Sequence, residues 1–312
     1  MKMEASAPAK IILFGEHAVV YGQPAIAAPV SSLRAFATVE PNPAGLIGLH
    51  IDAPDLNQRL PVDIRAESVD NALALTAQLV LTSLNALPPD VTISIRSQIP
   101  IASGLGSGSA VSTALARALC LVLDRRMEDA ALNRLIYEVE KIHHGTPSGI
   151  DNTVIVYERP VYFVRDKTLD TLTLGAPLTL LIGDTGIGAS TKIAVGDVRK
   201  RYDSDRGATE NIIHAIGNIT EKAREAIERG DVLAVGATMN ENHELLRQLT
   251  VSSPELDHLV GAAQQSGALG AKMSGGGRGG NMIALVTPET ADQVENALRK
   301  AGAVRVFTTT IA

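Results

Sequence analysis

The sequence has little of several features that stabilise or localise other classes of protein. It holds one cysteine, Cys120, no tryptophan and only 3% aromatic residues. A single cysteine excludes an intrachain disulfide and a cysteine-rich zinc site. Because aromatic side chains are scarce, we expect a core of Ala, Val, Leu and Ile. A chain of 312 residues can bury such a core without a disulfide or a structural metal.

Two further absences bear on location and partners. No stretch approaches the roughly 18 uninterrupted apolar residues of a membrane span, so no contact with a membrane is expected. No N-terminal basic segment leads into an apolar run with a cleavage site, and the expected location is the cytoplasm. The formal net charge of −6 is opposite to the basic excess of most nucleic-acid-binding faces. We therefore expect no nucleic-acid partner.

Short strands and longer helices are mixed along the chain. The hydrophobic pattern predicts strands at 10–14, 35–39, 91–95, 153–157, 161–164, 178–182, 282–286 and 305–310. It predicts helices at 109–123, 128–142, 191–202, 207–228, 231–248, 254–266 and 289–301. This order lacks strict alternation and favours an α+β fold over a doubly wound parallel sheet. A more polar stretch at 170–177 predicts a division into an N-terminal domain, residues 1–172, and a C-terminal domain, residues 173–312.

The first glycine-rich segment lies between a predicted strand and a predicted helix. Such a turn directs several backbone N–H groups into one concavity at the positive end of a helix dipole, which is typical of an anion site. Its serine hydroxyls can bond phosphate or Mg²⁺. Glycine turns before helices also serve plain packing, so this segment alone leaves both interpretations open. The candidate phosphate-binding residues are Pro100, Ser103, Gly104, Leu105, Gly106, Ser107, Gly108, Ser109 and Ala110.

This segment matches neither of two common nucleotide motifs. No Lys-Ser or Lys-Thr pair follows the glycines, so the Walker A pattern is absent. The third glycine of a dinucleotide-binding fingerprint would fall on Ser109. A nicotinamide-dependent oxidoreductase is therefore disfavoured.

Two carboxylates flank a Pro-Gly turn in the middle of the chain. Glu140 lies near the end of a predicted helix, and Asp151 follows the segment 143–150, just before the predicted strand 153–157. Phosphoryl transfer to an alcohol uses one carboxylate on Mg²⁺ and one oriented at the hydroxyl. A surface turn with two solvated acids is the alternative that these residues alone leave open.

Two more segments combine charged residues with a glycine run or a turn. Residues 272–281 read KMSGGGRGGN, with five glycines in six positions before a predicted strand. Such a run allows a backbone to approach another backbone or a ligand closely. Residues 10–22 read KIILFGEHAVVYG, a strand that starts at Lys10 and runs into a turn with Glu16 and His17.

Together these segments resemble the GHMP kinases, named for galactokinase, homoserine kinase, mevalonate kinase and phosphomevalonate kinase. The three family motifs occur in order, and the resemblance covers nearly the whole chain. Residues 16–22, 183–192 and 239–246 are similar to mevalonate kinases in particular. The resemblance implies two α+β domains with the active site in the interdomain cleft. It implies ATP-dependent phosphorylation of the primary hydroxyl of mevalonate; a kinase acting on phosphomevalonate, homoserine or a sugar is the alternative.

The resemblance also implies roles for individual residues. Asp151 matches the catalytic aspartate that accepts or orients the proton of the hydroxyl, and Lys10 matches a lysine beside it. Glu140 matches the carboxylate that holds Mg²⁺, with Ser107 as a second metal ligand. ATP is the co-substrate, and a homodimer is consistent with the family. The substrate-side residues that the resemblance implies are Lys10, Glu16, His17, Asp151 and Ser274.

Three residues depart from the family pattern. Gly108 stands where a second serine is usual, so either Ser107 or Ser109 replaces its hydroxyl or Mg²⁺ relies more on Glu140 and water. Arg278 interrupts the last glycine run, where it would either contact a phosphate or lie in solvent. Asn281 stands where cysteine is common. For the substrate carboxylate, the candidate partners are Lys192 and Arg199, and a solvated helix face is the alternative for both.

Overall fold

The computed structural model describes residues 3–63, 70–101, 103–144, 147–165, 167, 170–188 and 190–312. Contacts within the chain group it into two compact units. Unit 1 comprises Met1–Ala9, Leu33–Pro100 and Gly106–Glu158, and unit 2 comprises Lys10–Ser32, Ile101–Leu105 and Arg159–Ala312. Each unit is built from separate stretches of sequence because the chain passes between them several times. The predicted division after residue 172 stays a prediction.

The described residues form eleven strands and nine α-helices. The strands are β1 (Met3–Phe14), β2 (Ala25–Pro41), β3 (His50–Ala53), β4 (Gln58–Pro61), β5 (Val91–Ser97), β6 (Val161–Phe163), β7 (Asp170–Thr171), β8 (Leu178–Asp184), β9 (Gly270–Ser274), β10 (Asn281–Val286) and β11 (Arg305–Ile311). The helices are α1 (Ala72–Ser83), α2 (Ser107–Val122), α3 (Asp129–His144), α4 (Ile150–Tyr157), α5 (Thr191–Ser204), α6 (Arg206–Arg229), α7 (Val232–Gln248), α8 (Pro254–Gln265) and α9 (Ala291–Lys300).

Unit 1 combines a mixed sheet with helices α1 to α4. The second half of β2 pairs with β5 in antiparallel register, with Ala35 opposite Ser97. Strand β5 pairs in parallel with β3, which pairs with β4 in antiparallel register. Helix α2 packs against α1, α3, α4 and β5. Its buried face of Ala and Leu side chains, including Leu115 and Leu119, forms the centre of this unit's core.

The predicted strand at 153–157 is wrong, because these residues belong to helix α4. The run of Thr, Val and Ile has the composition of a strand. The helix begins after Gly149, which adopts a left-handed φ of 89° that glycine tolerates. Five consecutive residues of α4, Asn152 to Val156, are buried, and the helix packs against α2 and α3. Burial on all sides favours apolar β-branched residues in either kind of element, so tertiary packing overrides their propensity.

Unit 2 is a four-stranded antiparallel sheet covered by helices α5 to α9. The strand order is β11-β8-β10-β9. Helices α7 and α8 pack on β9, and α8 and α9 pack on each other. The shared core contains Leu181, Leu246, Leu259, Met273 and Ala284, all of them at most 2% exposed. The first half of β2 pairs with β6 in the same unit, with Ala25 opposite Phe163.

Local signals explain why the long helices of unit 2 begin where they were predicted. Each is preceded by a Ser or Asp whose side chain accepts a hydrogen bond from a backbone N–H of the first turn. These capping residues are Ser190, Asp205, Asp231 and Ser253. Apart from 153–157, each predicted strand and helix coincides with an observed element. Within the described parts of the chain, no helix has both the length and the apolar content that crossing a membrane would require.

Candidate active site

The first turn of α2 presents backbone N–H donors that no side chain caps. The helix begins at Ser107 after Gly106, whose φ is 74°, and no side chain caps it. No acidic residue lies in this turn. The first N–H groups of a helix have no partner within it, and together with the helix dipole they favour an anion. The phosphate site predicted at this turn stays a prediction.

Two buried hydroxyls lie on this same part of α2. The Ser109 Oγ and the Thr113 Oγ1 are one helical turn apart, and neither has a hydrogen-bond partner among the described residues. Ser109 is 1% exposed. Leaving a buried hydroxyl unpaired costs about 1–3 kcal/mol. Such a cost is recovered if a bound ligand supplies the missing partner. Replacement of the missing hydroxyl at Gly108 by Ser109 stays a prediction, as it does for Ser107.

The two predicted carboxylates of unit 1 lie on helices that pack against α2. Glu140 is 4% exposed on α3, and Asp151 is half-buried in the first turn of α4. Helices α2, α3 and α4 contact one another pairwise. Glu140, Asp151 and the α2 N-terminus therefore lie on three helices of unit 1 that pack against one another. Gly145 and Thr146, from the predicted turn between the two acids, lie outside the described residues.

In unit 2, strand β1 is bonded to parts of both glycine-rich segments. The Lys10 N–H donates to the Leu105 carbonyl at 3.0 Å. The Ile12 N–H donates to the Ser274 Oγ at 3.1 Å, and the Ser274 hydroxyl donates to the Ile12 carbonyl at 2.9 Å. The Lys10 residue itself is 3% exposed. These contacts place three predicted site residues, Lys10, Leu105 and Ser274, along one strand.

The turn after β1 is held by a buried ion pair. The Glu16 carboxylate contacts the Lys272 ammonium on β9, and both side chains are 0% exposed. The Lys272 Nζ also donates to the Met273 carbonyl at 2.7 Å. Burial raises the pKa of Glu16 and lowers the pKa of Lys272, and the attraction between the two groups opposes both shifts. The predicted substrate-side residue Glu16 is therefore fixed to the third motif.

His17 is a neutral imidazole with one unused nitrogen. Its Nε2 lies 3.0 Å from the Gly276 carbonyl, and a carbonyl can only accept, so Nε2 carries the proton. Burial lowers the pKa of His17 to about 4. The Nδ1 lone pair is buried and has no donor among the described residues. The ring thus offers one acceptor to a ligand.

The last glycine run confirms the predicted close approach of backbones. A Cβ on Gly277 would lie 1.9 Å from the Val251 carbonyl oxygen, and one on Gly279 would lie 2.5 Å from the Ile187 carbonyl oxygen. Arg278 was predicted either to contact a phosphate or to lie in solvent, and neither alternative describes it fully. Its guanidinium pairs with Asp197 at 2.5 Å, and its side chain is one-third exposed.

The two residues predicted to bind a substrate carboxylate lie at exposed positions on α5. Lys192 and Arg199 are both exposed. The Arg199 guanidinium lies 5.1 Å from the centre of the Tyr21 ring. A guanidinium at this distance from an aromatic ring gains a cation–π interaction, which holds Arg199 beside the turn that carries His17.

The sequence reasoning gave no role to Lys272 or to His243. The His243 Nδ1 accepts the Met273 N–H at 3.3 Å, and its Nε2 donates to Asp257 at 3.2 Å. A lysine inside an otherwise apolar strand was the available signal for Lys272, since such a charge requires a buried partner. His243 lies in the segment 239–246 that resembles mevalonate kinases, but nothing in that segment indicated its individual role.

Two buried neutral histidines make stability depend on pH. Burial lowers the pKa of His17 and of His243 from an ordinary 6.5 to about 4. Between these values the unfolded chain binds more protons, so the free energy of unfolding falls as pH falls from 6.5 towards 4. At about 1.4 kcal/mol per pKa unit, each histidine contributes up to about 3 kcal/mol to that loss. Urea unfolding at several pH values measures it.

Two matched variants test this pH dependence: His243→Gln, and His258→Gln as its control. The first removes a buried imidazole and is expected to flatten the pH dependence of the unfolding free energy below pH 6.5. The second removes an exposed imidazole on α8 and should leave that dependence unchanged. Equal slopes in the wild-type chain and in His243→Gln would contradict the neutral buried state of His243.

Comparison with known proteins agrees with this arrangement. The family model for the GHMP kinases N terminal domain matches residues 71–159, and that for GHMP kinases C terminal matches residues 223–304. A mevalonate kinase of Thermococcus sibiricus is 37% identical over 323 aligned residues, covering 99% of this chain and 96% of the relative.

Solved structures show the same similarity along the whole chain. The crystal structure of L. major mevalonate kinase in complex with R-mevalonate has 31% identity and a TM-score of 0.85, covering 99% of this chain and 95% of that one. The Methanococcus jannaschii mevalonate kinase structure has 27% identity and a TM-score of 0.86, covering 100% and 99%. The two-domain α+β fold predicted from the sequence is thereby confirmed. The chain belongs to the mevalonate kinases of the GHMP kinase family.

Proposed function

We propose that this chain transfers the γ-phosphoryl group of ATP to the primary hydroxyl of mevalonate, giving 5-phosphomevalonate and ADP. One observation carries the proposal furthest: strand β1 is hydrogen-bonded to Leu105 of the phosphate segment and to Ser274 of the third motif. Similarity to mevalonate kinases over nearly the full length of the chain supports the substrate. A cytoplasmic location stays a prediction from the sequence, and a homodimer stays a prediction of the family resemblance.

The proposed mechanism relies on positioning and on charge. The phosphates of ATP bind the uncapped N-terminus of α2, where N–H donors and the helix dipole stabilise negative charge. Asp151 orients the hydroxyl and accepts its proton as the oxygen attacks the γ-phosphorus. Lys10 stabilises the negative charge that develops on that oxygen. The transition state of phosphoryl transfer is loose, so most of the rate gain comes from alignment.

The side chains of unit 1 fit a bound Mg²⁺. This ion prefers hard oxygen ligands and is usually held by one or two carboxylates together with phosphate oxygens and water. Glu140 supplies a buried carboxylate, and the unpaired Ser109 hydroxyl or that of Ser107 supplies a further oxygen. Among the described residues no group of three or more His, Cys, Asp or Glu side chains is arranged to hold a metal ion. When bound, Mg²⁺ would neutralise charge on the phosphates.

On the substrate side we assign His17 the role of hydrogen-bond acceptor. Its Nδ1 is buried and lacks a donor among the described residues, which suits a substrate hydroxyl. Because burial keeps its pKa near 4, the ring stays neutral and the lone pair stays available at neutral pH. Ser274 and Glu16 support this turn from the β9 side.

The proposed substrate is tested by measuring ADP release with Mg-ATP and four alcohols: mevalonate, phosphomevalonate, homoserine and galactose. The proposal predicts turnover on mevalonate alone. Turnover on another alcohol of this panel, without turnover on mevalonate, would overturn the substrate assignment and retain the kinase chemistry.

Lys10→Met is expected to lower kcat by about 100-fold while leaving the KM for ATP near its wild-type value. The reason is that removal of one stabilising group aimed at the developing charge typically costs about this much. Lys300→Met is the matched control, since it makes the same change at an exposed position of unit 2 that has no proposed role in binding. A Lys10→Met effect confined to the KM for ATP would contradict the proposed role.

A further inference from the structure

Asn281, one of the three departures from the family pattern, makes a specific contact to the phosphate segment. It is the first residue of β10, is 1% exposed, and pairs across the sheet with Ser274 and Asp184. Its Nδ2 donates to the Ser103 carbonyl at 2.5 Å. The opposite orientation of the amide would set its oxygen against that carbonyl, so the hydrogen bond fixes the side chain in one orientation.

The backbone beside Asn281 is fixed as well. The Gly280 N–H donates to the Ile187 carbonyl at 2.8 Å, and the Gly280 carbonyl accepts from the Thr185 N–H and hydroxyl, both at 2.9 Å. A Cβ on Gly280 would lie 2.9 Å from the Ser103 carbonyl oxygen. Position 280 is therefore restricted to glycine. The Ser103 carbonyl packs against a backbone segment that these hydrogen bonds hold in place.

The stretch from Ser103 to Leu105 is thus anchored at both ends. Asn281 holds the Ser103 carbonyl, and the Lys10 N–H holds the Leu105 carbonyl at 3.0 Å. Between them lies Gly104, exposed and with a φ of 83°. Glycine accepts both signs of φ, so an unanchored Ser103–Gly104 peptide would be free to change its orientation.

A peptide plane links the direction of its carbonyl to that of its N–H. In the trans peptide the Ser103 C=O and the Gly104 N–H point to opposite sides of the chain. When the carbonyl points at Asn281, the Gly104 N–H must point away from it. The direction of one backbone donor in the phosphate segment is consequently set by a side chain outside that segment. Concave arrays of N–H groups bind anions only when their donors converge.

We infer that Asn281 is a positioning residue for nucleotide binding, which holds the Ser103–Gly104 peptide in the orientation that binds phosphate. The inference rests on the proposed function of the phosphate segment. Because Asn281 acts through the Ser103 carbonyl, its replacement is expected to weaken phosphate binding and to leave binding of the alcohol substrate unchanged.

The test measures the Kd for ADP by calorimetry and the KM for mevalonate in the full chain. Asn281→Ala removes one hydrogen bond and is expected to raise the Kd for ADP about 5- to 10-fold. Asn281→Asp replaces the donor by an oxygen that repels the carbonyl, so its Kd should rise further. The KM for mevalonate is expected to stay within about twofold of wild type in Asn281→Ala, because alcohol binding does not use this peptide.

Asn71→Ala is the matched control. Its side chain also bonds backbone atoms, as the cap of α1, so its loss lowers stability by a comparable amount without touching the phosphate segment. It should leave the Kd for ADP unchanged. A wild-type Kd in Asn281→Ala, or an equal loss of affinity for ADP and mevalonate, would overturn the inference. Because ADP binding needs no alcohol, this result and the substrate panel succeed or fail separately.

Discussion

Asp151→Asn is expected to lower kcat by at least about 100-fold, because a positioned acid–base group typically contributes 10²- to 10⁴-fold. The amide keeps the shape of the carboxylate and can still occupy the first turn of α4. It cannot accept the proton of the attacking hydroxyl. Because the α2 N-terminus and Glu140 are unchanged, binding of Mg-ATP should stay close to wild type. Steady-state kinetics and calorimetry with a nonhydrolysable ATP analogue measure the two quantities separately.

Asp129→Asn provides the control for this variant. Asp129 is an acidic residue in the first turn of α3, so the change removes the same charge from the same kind of helix position in unit 1. Its side chain is exposed, and no effect on kcat is expected. Near-wild-type turnover in Asp151→Asn would remove Asp151 from the role of base.

Lys272→Met is expected to lower the free energy of unfolding by about 3–5 kcal/mol. Removing one partner of a fully buried ion pair leaves the other charge without compensation, and losses of this size are typical. Here the partner is Glu16, whose second oxygen, Oε2, is already buried and has no hydrogen-bond partner among the described residues. Lys272 lies on β9, which also carries Ser274, and Glu16 lies in the turn after β1, the strand that carries Lys10. Urea unfolding monitored by circular dichroism gives the free energy.

A lysine-to-methionine substitution in an exposed ion pair is the control for the loss of stability in Lys272→Met. Lys141 pairs with Glu138 one turn away on α3, and their side chains are 45% and 54% exposed. Exposed pairs contribute about 0–1 kcal/mol, so Lys141→Met should cost little. In the double variant Glu16→Gln/Lys272→Met no charge is left unpaired, and part of the lost stability should return. A loss in Lys272→Met as small as that in Lys141→Met would contradict the ion pair.

Much of the fold was readable from local signals. The helices of unit 2 combine apolar spacing with capping residues such as Ser190 and Ser253, and these short-range signals fix where a helix begins. Helix α4 was missed because its buried, β-branched sequence satisfies the pattern of a strand equally well. The short strands β3, β4 and β7 were missed because runs of two to four residues carry too little pattern to detect. Helix α1 was missed because its nearly continuous apolar run shows little helical periodicity, and strand β9 because it is short and begins with glycine.

The site residues were identifiable from their motifs, whereas their contacts were not. The sequence shows Ser274 as part of a glycine-rich motif, but its partner Ile12 is 262 residues away. Likewise, nothing local to Glu16 indicates that Lys272 neutralises it. Asn281 stood out only as a departure from the family pattern, and its bond to Ser103 becomes apparent only when β10 and the phosphate segment are seen side by side. Contacts between residues far apart in the sequence form only in the folded chain. A single sequence therefore indicates which residues are candidates for the site but not which residues they contact.

Identification of the product tests the central claim most directly. Mevalonate carries a primary and a tertiary hydroxyl, and the proposed alignment phosphorylates the primary one. We would incubate the chain with Mg-ATP and mevalonate and record the ³¹P spectrum of the product together with ADP release. The account predicts one ADP per mevalonate consumed and a phosphorus signal split by two protons of an adjacent CH₂ group. A phosphorus signal without coupling to a CH₂ group, or ADP release that does not require mevalonate, would contradict it.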